Sequence, residues 1–432
     1  MTPLAVRQCP LTSILKILIH GINFAPELIG IGKFTGEMAA WLAVHGHEIR
    51  VVTAPPYYPA WRVWDGYAAA RYRRTAWRWA GGGSAQVWRC PLWVPAQPGG
   101  AKRLAHLASF ATSSAPVMLA QARWRPDLVL VVEPTLLCAP VALLTARLCG
   151  AKVWLHIQDL EVDAAFEMGL LPEGGLRRFA LACEGALLRR FDRVSTISEA
   201  MRDRVIAKGL PQAQVPLFQN WVDVDGIAPL DRPSIFRAEQ DLDAHICVAL
   251  YAGNLGEKQG LELLIEAALR LQTVPDLIFV IAGAGSARAR LEALGAGLRN
   301  LRWLPLQPAE RLNDLLNLAD IHLLPQRADA ADLVMPSKLT GMLASGRPVI
   351  ATAQPDTQVG RVVAGCGVVV PPGDGAAFAA ALAALADDPV RRQVLGAAAR
   401  AYAEEHLALG AIMSRFQEEA AALMAVASTA TG

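Results

Sequence analysis

Segments with the pattern of a buried strand alternate with segments of helical periodicity along almost the whole chain of 432 residues. Short apolar runs such as "ILKILIHG", "HEIRVVTA" and "DLVLVVE" are followed by longer stretches with apolar residues at helical spacing. This alternation is typical of parallel sheets, because neighbouring parallel strands need a crossover, usually a helix that covers one face of the sheet. The sequence therefore predicts an α/β fold with doubly wound sheets.

The alternation breaks once, at 222–244, where the chain is polar, contains proline and has no clean period. It then restarts with six strand-like runs, which are "ICVALYAG", "DLIFVIAGAG", "LRWLPL", "DIHLLP", "PVIAT" and "GVVVPP". We predict an N-terminal domain at 1–221, an interdomain connection at 222–244, a C-terminal domain at 245–405 and a helix at 406–432 that could pack back on the N-terminal domain. Two such domains would face a cleft at the carboxyl ends of their sheets, where doubly wound folds bind ligands.

Charge and cysteine content argue against several classes of protein. The net charge of +2 gives no reason to expect nucleic-acid binding. The seven cysteines are scattered and form no CxxC pair or Cys/His cluster, so we expect neither a disulfide framework nor a zinc site, and a cytoplasmic location fits best. No uninterrupted run reaches the ~18 apolar residues that a membrane-spanning helix would need.

One strand-to-helix turn in the C-terminal half has the composition of an anion site. The segment "GNLGEKQG" contains Gly253, Asn254, Gly256 and Lys258. The N–H groups at a helix start favour an anion, and glycines let the backbone approach a phosphate closely. Lys258 would add a point charge that can meet a diphosphate. An ordinary glycine-rich connection with a solvated lysine is the alternative interpretation.

A second lysine lies at another strand-to-helix connection of the same domain. The segment "MPSKLTG" places Pro336, Ser337 and Lys338 where a helix could begin. Two cationic loops in one cleft favour a nucleoside diphosphate as ligand, although Ser337 could simply cap the helix.

A third loop, "AGAGSAR", places Gly283, Gly285 and Ser286 after another strand, and we expect it to form part of the pocket wall. This loop is not a GxGxxG motif with its downstream acid, so a nicotinamide site is not indicated.

Polar and aromatic residues of the N-terminal half could face the same cleft. Gly30 and Gly32 lie in the loop before the first helix, where the backbone could approach a sugar or a diphosphate. The segment "PPYYPAW", with Tyr57 and Tyr58, could form a wall for a sugar or a lipid-linked acceptor, or could be a simple packing loop.

The segment "HIQDLEVD" places His156 and Asp159 at and just after the end of a strand. Chemistry is expected at the carboxyl end of a parallel strand. A lone histidine at such a position could equally be a structural hydrogen-bonding residue.

Several of these segments together resemble a known family. "YAGNLGEKQGLELLIEAA", "VIAGAGSARARLE" and "SGRPVIAT" resemble, in order, the C-terminal domain of the GT-B fold glycosyltransferases of family 4, also called group 1. "GINFAPELIGIGKFTGEMAAWLAVHG", "LHIQDLEVD" and "MPSKLTGMLASG" are similar to the colanic acid biosynthesis type of that family, usually described as a fucosyltransferase. The resemblance spans roughly residues 14 to 410 and implies the GT-B fold, with two Rossmann-like domains facing a cleft.

The resemblance also implies an activity. A sugar would pass from a GDP- or UDP-linked donor, with retention of anomeric configuration, to a polyprenyl-diphosphate-linked saccharide. Lys258 and Lys338 would hold the developing charge of the diphosphate, and His156 would lie near the reacting carbon. No metal and no cofactor beyond the nucleotide-sugar substrate are implied.

This sequence departs from the wider family at two acidic positions. The family carries two glutamates eight positions apart before "GxPVI", and in this chain those positions fall at Leu333 and Gly341. Asp332 could stand in for the first glutamate, and Ser337 and Lys338 could take over donor contacts. A sugar-nucleotide 2-epimerase stays open as an alternative because it shares this fold, although the "PSK" segment fits it poorly. A non-catalytic nucleotide-sugar binding protein stays open because both family glutamates are missing.

Tryptophan and arginine recur in 73–79 and 88–125, and further arginines lie in 177–190. Such residues suit the headgroup region of a bilayer, and an amphipathic helix near 101–123 could lie in it. We therefore expect a peripheral protein of the inner membrane surface. Packing of the same apolar residues against the N-terminal sheet is the alternative, and a protein that merely docks on membranes is a third candidate function.

Overall fold

The computed structural model describes residues 14–27, 30–79, 81–96, 99–134, 136–160, 175–256, 259–327 and 336–429. The chain divides into two compact units. Unit 1 comprises Met1–Asn220 together with Met413–Gly432, and unit 2 comprises Trp221–Ile412. Each unit is built on its own sheet.

Unit 1 has a seven-stranded sheet in the order β3-β4-β2-β1-β5-β6-β7. Its strands are β1 (Lys16–Gly21), β2 (Glu48–Thr53), β3 (Arg73–Arg78), β4 (Ser84–Arg89), β5 (Leu128–Val132), β6 (Lys152–Ile157) and β7 (Arg193–Thr196). The helices between them are α1 (Gly30–Val44), α2 (Gly100–Gln121), α3 (Ala139–Cys149), α4 (Gly175–Leu188) and α5 (Glu199–Ala207). Every strand pair is parallel except β3 with β4.

The predicted strands of unit 1 are confirmed, and the edge pair β3–β4 was not predicted. The central strand β5 is buried along its whole length, as expected for a strand covered on both faces. The segment 73–79, for which its tryptophans and arginines predict a membrane surface, contains β3, and its contact with a membrane stays a prediction. It is the antiparallel edge of the sheet, and its arginines Arg73, Arg74 and Arg78 are exposed. Charged side chains are common on edge strands because they oppose pairing with other chains.

Unit 2 has a six-stranded parallel sheet in the order β10-β9-β8-β11-β12-β13. Its strands are β8 (Cys247–Ala252), β9 (Leu277–Ala282), β10 (Leu301–Leu304), β11 (Ile321–Leu324), β12 (Val349–Thr352) and β13 (Gly367–Val370). Its helices are α6 (Ile235–Glu239), α7 (Glu262–Arg270), α8 (Arg288–Leu294), α9 (Leu312–Leu316), α10 (Ser337–Ala344), α11 (Gln358–Ala364), α12 (Gly375–Ala386) and α13 (Pro389–Tyr402). All six predicted strands are confirmed.

The stretch 222–244, predicted as an interdomain connection, packs within unit 2. Arg232 forms an ion pair of 2.8 Å with Asp314, and the Ser234 hydroxyl donates to the Asp314 carbonyl at 2.6 Å. Phe236 of α6 is buried in an apolar cluster with residues of the sheet. The polar side chains of this stretch therefore pair with residues of unit 2.

The last helix is α14 (Leu409–Thr429), of which the part from Met413 onward belongs to unit 1. There the Phe416 ring packs on Trp154 of β6 and on Phe218. Among the described residues, no helix combines the length and the apolar character needed to cross a bilayer.

Candidate functional site

The loops that carry the predicted donor residues of unit 2 follow neighbouring strands. Strand β8 pairs with β9 on one side and with β11 on the other. The chain thus winds outward in both directions from β8, which makes the β8–β11 edge a topological switch point. Ligands of doubly wound sheets bind outside the carboxyl ends of strands at such a point. The loop after β8 begins at Gly253, and the connection after β11 leads into α10, which carries Lys338.

The side chain of Lys338 reaches back from α10 to the loop after β8. Its Nζ donates to the Tyr251 hydroxyl at 2.9 Å and to Gln259 Oε1 at 2.7 Å. The same Nζ lies 4.7 Å from the centroid of the Tyr251 ring. A Cβ built on Gly253 would lie 3.7 Å from this Nζ, so the amine sits against the backbone of the glycine loop. The structure therefore brings Lys338 next to Gly253, and the sequence predicts both residues for the donor site.

Lys338 has no carboxylate within ion-pair distance among the residues that the structure describes. Its described partners are a phenol, an amide and an aromatic face, all of which are neutral. Burial lowers the pKa of the Lys338 amine to about 8. Because a buried ammonium without a counter-ion is costly, this position favours the arrival of an anion.

Tyr251 fixes this arrangement from the end of β8. Its hydroxyl accepts from Lys338 and donates to the carbonyl of Asn254 at 2.7 Å, so it links the amine to the backbone of the loop. Burial raises the pKa of the Tyr251 phenol, which keeps it protonated and able to donate. Sequence reasoning missed both Tyr251 and Gln259, because their contacts with Lys338 cross 87 and 79 residues of chain.

The predicted donor glycines allow two loops to lie directly against each other. A Cβ on Gly283, whose φ is +143°, would lie 1.9 Å from the Gly253 carbonyl oxygen. A Cβ on Gly285 would lie 2.3 Å from the Leu255 carbonyl oxygen. Backbone hydrogen bonds join the same loops, from Gly253 N to the Ala282 carbonyl and from Leu255 N to the Ala284 carbonyl. Close packing of backbone on backbone is thus one reason for glycine here.

The remaining donor candidates differ in their surroundings. Asn254 and Ser286 are exposed, and Gly256 is half-buried. Pro336 occupies the N-cap position of α10 without a side-chain cap, and Ser337 is its first helical residue. The alternative that Ser337 caps the helix is therefore wrong. Lys258 and Asp332 lie outside the described residues.

Gly341, at the position of the second family glutamate, faces apolar side chains. A Cβ built on it would lie 3.3 Å from Leu316 Cδ1 and 3.8 Å from Ile227 Cδ1. The side chain of a glutamate at this position would therefore point from its Cβ toward the apolar contact between α10 and Leu316 of α9. The surroundings of Gly341 thus suit a small apolar residue.

In unit 1 a buried carboxylate organises the predicted acceptor segments. Glu27 Oε1 accepts from the backbone N–H groups of Tyr57 and Tyr58, at 2.9 and 3.0 Å. Its other oxygen, Oε2, accepts from the side-chain amide of Asn23 at 2.9 Å. Burial raises the pKa of Glu27, while these hydrogen bonds lower it. Glu27 thereby ties the loop before α1 to the segment "PPYYPAW".

Gly30 and Gly32, predicted in the loop before the first helix, lie instead in the first turn of α1, and with the two tyrosines they pack around this carboxylate. A Cβ on Gly32 would lie 2.3 Å from Glu27 Oε2, so only glycine fits there beside it. A Cβ on Gly30, whose φ is +63°, would touch the Tyr58 ring at 3.4 Å. Tyr57 is buried, whereas 37% of Tyr58 is exposed, so Tyr58 is the tyrosine available to a ligand. Glu27 was missed because a lone glutamate between a strand and a helix gives no distinctive sequence signal.

His156 is buried on β6 in the interior of unit 1. Its Nδ1 lies 3.0 Å from the Ser195 hydroxyl, and its ring packs on Phe218 at 4.7 Å between centroids. Burial lowers the pKa of His156 to about 3, so the imidazole is neutral at physiological pH. This geometry suits the structural hydrogen-bonding alternative, and a catalytic role for His156 stays a prediction. Asp159, predicted with it, lies 3.7 Å from the Arg103 guanidinium.

The residue types that hold metal ions do not cluster in the described parts of the two units. Within the described ranges, no group of three or more His, Cys, Asp or Glu side chains is placed to hold a metal ion. Among the described residues, the cation that lies against Gly253 at the switch point of unit 2 is the Lys338 ammonium.

Comparison with known proteins gives the family. The model of the family "Glycosyl transferase 4-like domain" matches residues 30–221, and that of "Glycosyl transferases group 1" matches residues 247–388. The chain is 48% identical over 356 residues to the "Putative colanic acid biosynthesis glycosyl transferase WcaI" of Escherichia coli K12, which covers 81% of this chain and 86% of the relative. The chain belongs to the group 1 glycosyltransferase family. The resemblance stated from the sequence is therefore confirmed.

This glycosyltransferase also shares its fold with solved structures. Sucrose-phosphate synthase from Thermosynechococcus elongatus superimposes with a TM-score of 0.68 at 16% identity, over 95% of this chain and 100% of the other. Anabaena HepE in complex with UDP and glucose gives a TM-score of 0.62 at 14% identity, over 94% and 98% of the two chains. At these identities the likeness concerns the fold, and it confirms the predicted GT-B class with two Rossmann-like domains.

Proposed function

We propose that this glycosyltransferase moves a sugar from a nucleotide-diphosphate donor, with retention of anomeric configuration, to a polyprenyl-diphosphate-linked saccharide during bacterial exopolysaccharide biosynthesis. The relative at 48% identity is named for colanic acid biosynthesis, which supports this pathway class. Fucose is the donor sugar that the resemblance favours. A fold shared with a protein solved with UDP and glucose supports a nucleotide sugar as donor.

The observation that carries the proposal is the position of Lys338. Its ammonium lies against the glycine loop after β8, with only neutral partners among the described residues. A diphosphate needs a cation and close backbone approach, and this place offers both. A nicotinamide or a metal cluster would need residues that the described loops do not bring together.

The chemistry asked of the protein is stabilisation of a departing diphosphate. As the bond between the anomeric carbon and the diphosphate oxygen breaks, negative charge grows on that oxygen and the sugar gains oxocarbenium character. Lys338, Lys258 and the N–H groups at the start of α10 would hold this charge. No bound metal is needed in this scheme, because the cations are supplied by the lysines.

Unit 1 would bind the acceptor through the loop before α1 and the segment "PPYYPAW". Glu27 holds both segments, Gly30 and Gly32 in the first turn of α1 leave room for Tyr58 and for that carboxylate, and Tyr58 is the partly exposed aromatic residue. Aromatic faces are common partners of the apolar faces of sugars and lipids. A lipid-linked acceptor would bring the enzyme to the cytoplasmic surface of the inner membrane.

Substitution of Lys338 tests the donor site. Lys338→Ala should lower sugar transfer at saturating donor by roughly 100-fold, the scale of removing one charge contact made in the transition state. Lys258→Ala should act likewise. Arg391→Ala, which removes an exposed cation of the same unit, is the matched control and should leave the rate unchanged. Wild-type rates in both lysine variants would place the diphosphate elsewhere.

A further inference from the structure

The helices α2, α3 and α4 cover part of the unit 1 sheet, and the outer face of α3 is apolar. Helix α3 contacts α2, and it forms a groove with α4. Leu137, just before α3, is 52% exposed, and Leu144 and Leu148 on α3 are 48% and 63% exposed. Their spacing of seven and four residues puts these leucines on one side of the helix. The inner face of α3 packs in the core of unit 1 through Ala139, Ala142 and Ala146, so α3 is apolar on both faces.

The groove between α3 and α4 combines this apolar surface with two arginines. Its volume is about 670 Å³, and its apolar lining includes Leu143, Leu144 and Leu187. Arg147 and Arg190 also line it. In the part of the chain that the structure describes, neither guanidinium has a carboxylate or carbonyl partner, and the lining contains no acidic residue. An apolar groove with two available guanidinium groups fits an amphiphile with an anionic head.

The exposed charged side chains described on α3 and in the α4 region are all positively charged. Glu184 is the single acidic residue in the sequences of α3 and α4, and it is buried in an ion pair of 2.7 Å with Lys208. Arg178 and Arg189 of the α4 region are exposed. A protein partner of mixed charge would gain little from these two helices, whereas a surface of phosphate groups would meet the cations that their described residues expose.

We propose that the outer faces of α3 and α4 dock on a bilayer that contains anionic phospholipid. Arg147 and Arg190 bind a lipid phosphate, because guanidinium groups match phosphate geometry. Leu144 and Leu148 insert at the boundary between headgroups and acyl chains, and the groove receives part of one chain. The purpose of this surface rests on the proposed lipid-linked acceptor, but lipid binding itself needs neither donor nor acceptor.

Sedimentation of the full chain with vesicles tests the proposal. Vesicles of phosphatidylcholine mixed with phosphatidylglycerol should bind the protein, and vesicles of phosphatidylcholine alone should bind it weakly. The double variant Arg147→Ser with Arg190→Ser should lower the partition coefficient for anionic vesicles about 25-fold, from about fivefold for each basic residue at the surface. Leu144→Ser with Leu148→Ser should lower it at least ~10-fold for both kinds of vesicle.

A matched control lies on α13 of unit 2. There Val390 and Val394 are 69% and 64% exposed on either side of the exposed Arg391. The triple change of these residues to serine should leave vesicle binding as in the wild type. All substituted side chains are half or more exposed or line an open groove, and unchanged thermal midpoints would verify that the variants fold.

Three results would overturn the proposal. The first is failure of the wild-type chain to sediment with anionic vesicles at low salt, and the second is wild-type binding by both unit 1 variants. The third is loss of a concentration-dependent self-association in the leucine variant, which would make the face an interface between copies of the chain. Nucleotide-sugar binding by the unit 1 variants, measured separately, distinguishes failure of docking from failure of the proposed catalytic function.

Discussion

The lowered pKa of Lys338 predicts how the affinity for the donor changes with pH. Burial lowers this pKa to about 8, so in the unliganded enzyme the amine loses its charge as pH rises through the range where enzymes are assayed. The diphosphate of a nucleotide sugar has no proton to lose there and binds the charged amine. Donor affinity should therefore be full well below the pKa and should fall above it.

The magnitude follows from the charged fraction of Lys338. With a pKa of about 8, the apparent dissociation constant of the donor should rise about fourfold from about pH 6.5 to about pH 8.5. The reason is that above this pKa the neutral Lys338 amine must take up a proton before the donor can bind to it. Near pH 8, binding should take up about half a proton per donor.

Isothermal titration calorimetry with one nucleotide sugar, in buffers of different ionisation enthalpy, measures both quantities. Lys338→Arg is the matched control, because a guanidinium stays charged throughout and should give a flat profile without proton uptake. A wild-type profile as flat as that of Lys338→Arg would refute the assignment of Lys338 to the diphosphate. Equal affinity of Lys338→Ala at low pH would refute it independently.

Three further substitutions test the supporting structure by chemical denaturation. Gly283→Ala should destabilise the protein by about 3 kcal/mol, because its Cβ would lie 1.9 Å from the Gly253 carbonyl oxygen. Gly410→Ala, with open space around it at the start of α14, should be neutral or slightly stabilising. Glu27→Ala should cost about 2–4 kcal/mol and weaken acceptor binding, since it leaves two backbone N–H groups without their partner; wild-type KM for acceptor would contradict this role. Burial lowers the pKa of His322 to about 3, so as pH falls below about 6.5 the unfolded chain binds a proton at His322 before the folded protein does. His322 should contribute about 1.4 kcal/mol per pH unit to the loss of stability, beside the buried His20 and His156, and the slope should be smaller by that amount in His322→Gln.

The layout of the sheets could be predicted because it depends on local pattern. Each buried strand of unit 2 is a short apolar run bounded by turn residues, and the predicted runs all became strands. The pair β3–β4 escaped prediction because an exposed edge strand such as Arg73–Arg78 has no continuous apolar run. Its alternating tryptophan and arginine instead suggested a membrane surface.

The sequence could predict the residues of the candidate site that belong to a single loop, but not the contacts between distant segments. Lys338 was identified because a lysine at a helix start beside serine is a recognisable local pattern. Its dependence on Tyr251 and Gln259 could not be foreseen, since the contacts form only when the fold brings the Lys338 side chain to the end of β8 and to the loop after it. The glycine motif at Gly283 was ambiguous for a physical reason, because glycine serves equally a close phosphate and a close backbone neighbour.

The most direct test of the proposed function is a transfer assay with purified protein, a panel of GDP- and UDP-linked sugars and a polyprenyl-diphosphate-linked saccharide acceptor. Release of the nucleoside diphosphate and the anomeric configuration of the product are measured together, for the wild type and for Lys338→Ala. We expect one donor to be consumed with retention of configuration, and consumption to fall roughly 100-fold in the variant. Consumption of that donor at the same rate by Lys338→Ala, or a product of inverted configuration, would contradict the function proposed for this glycosyltransferase.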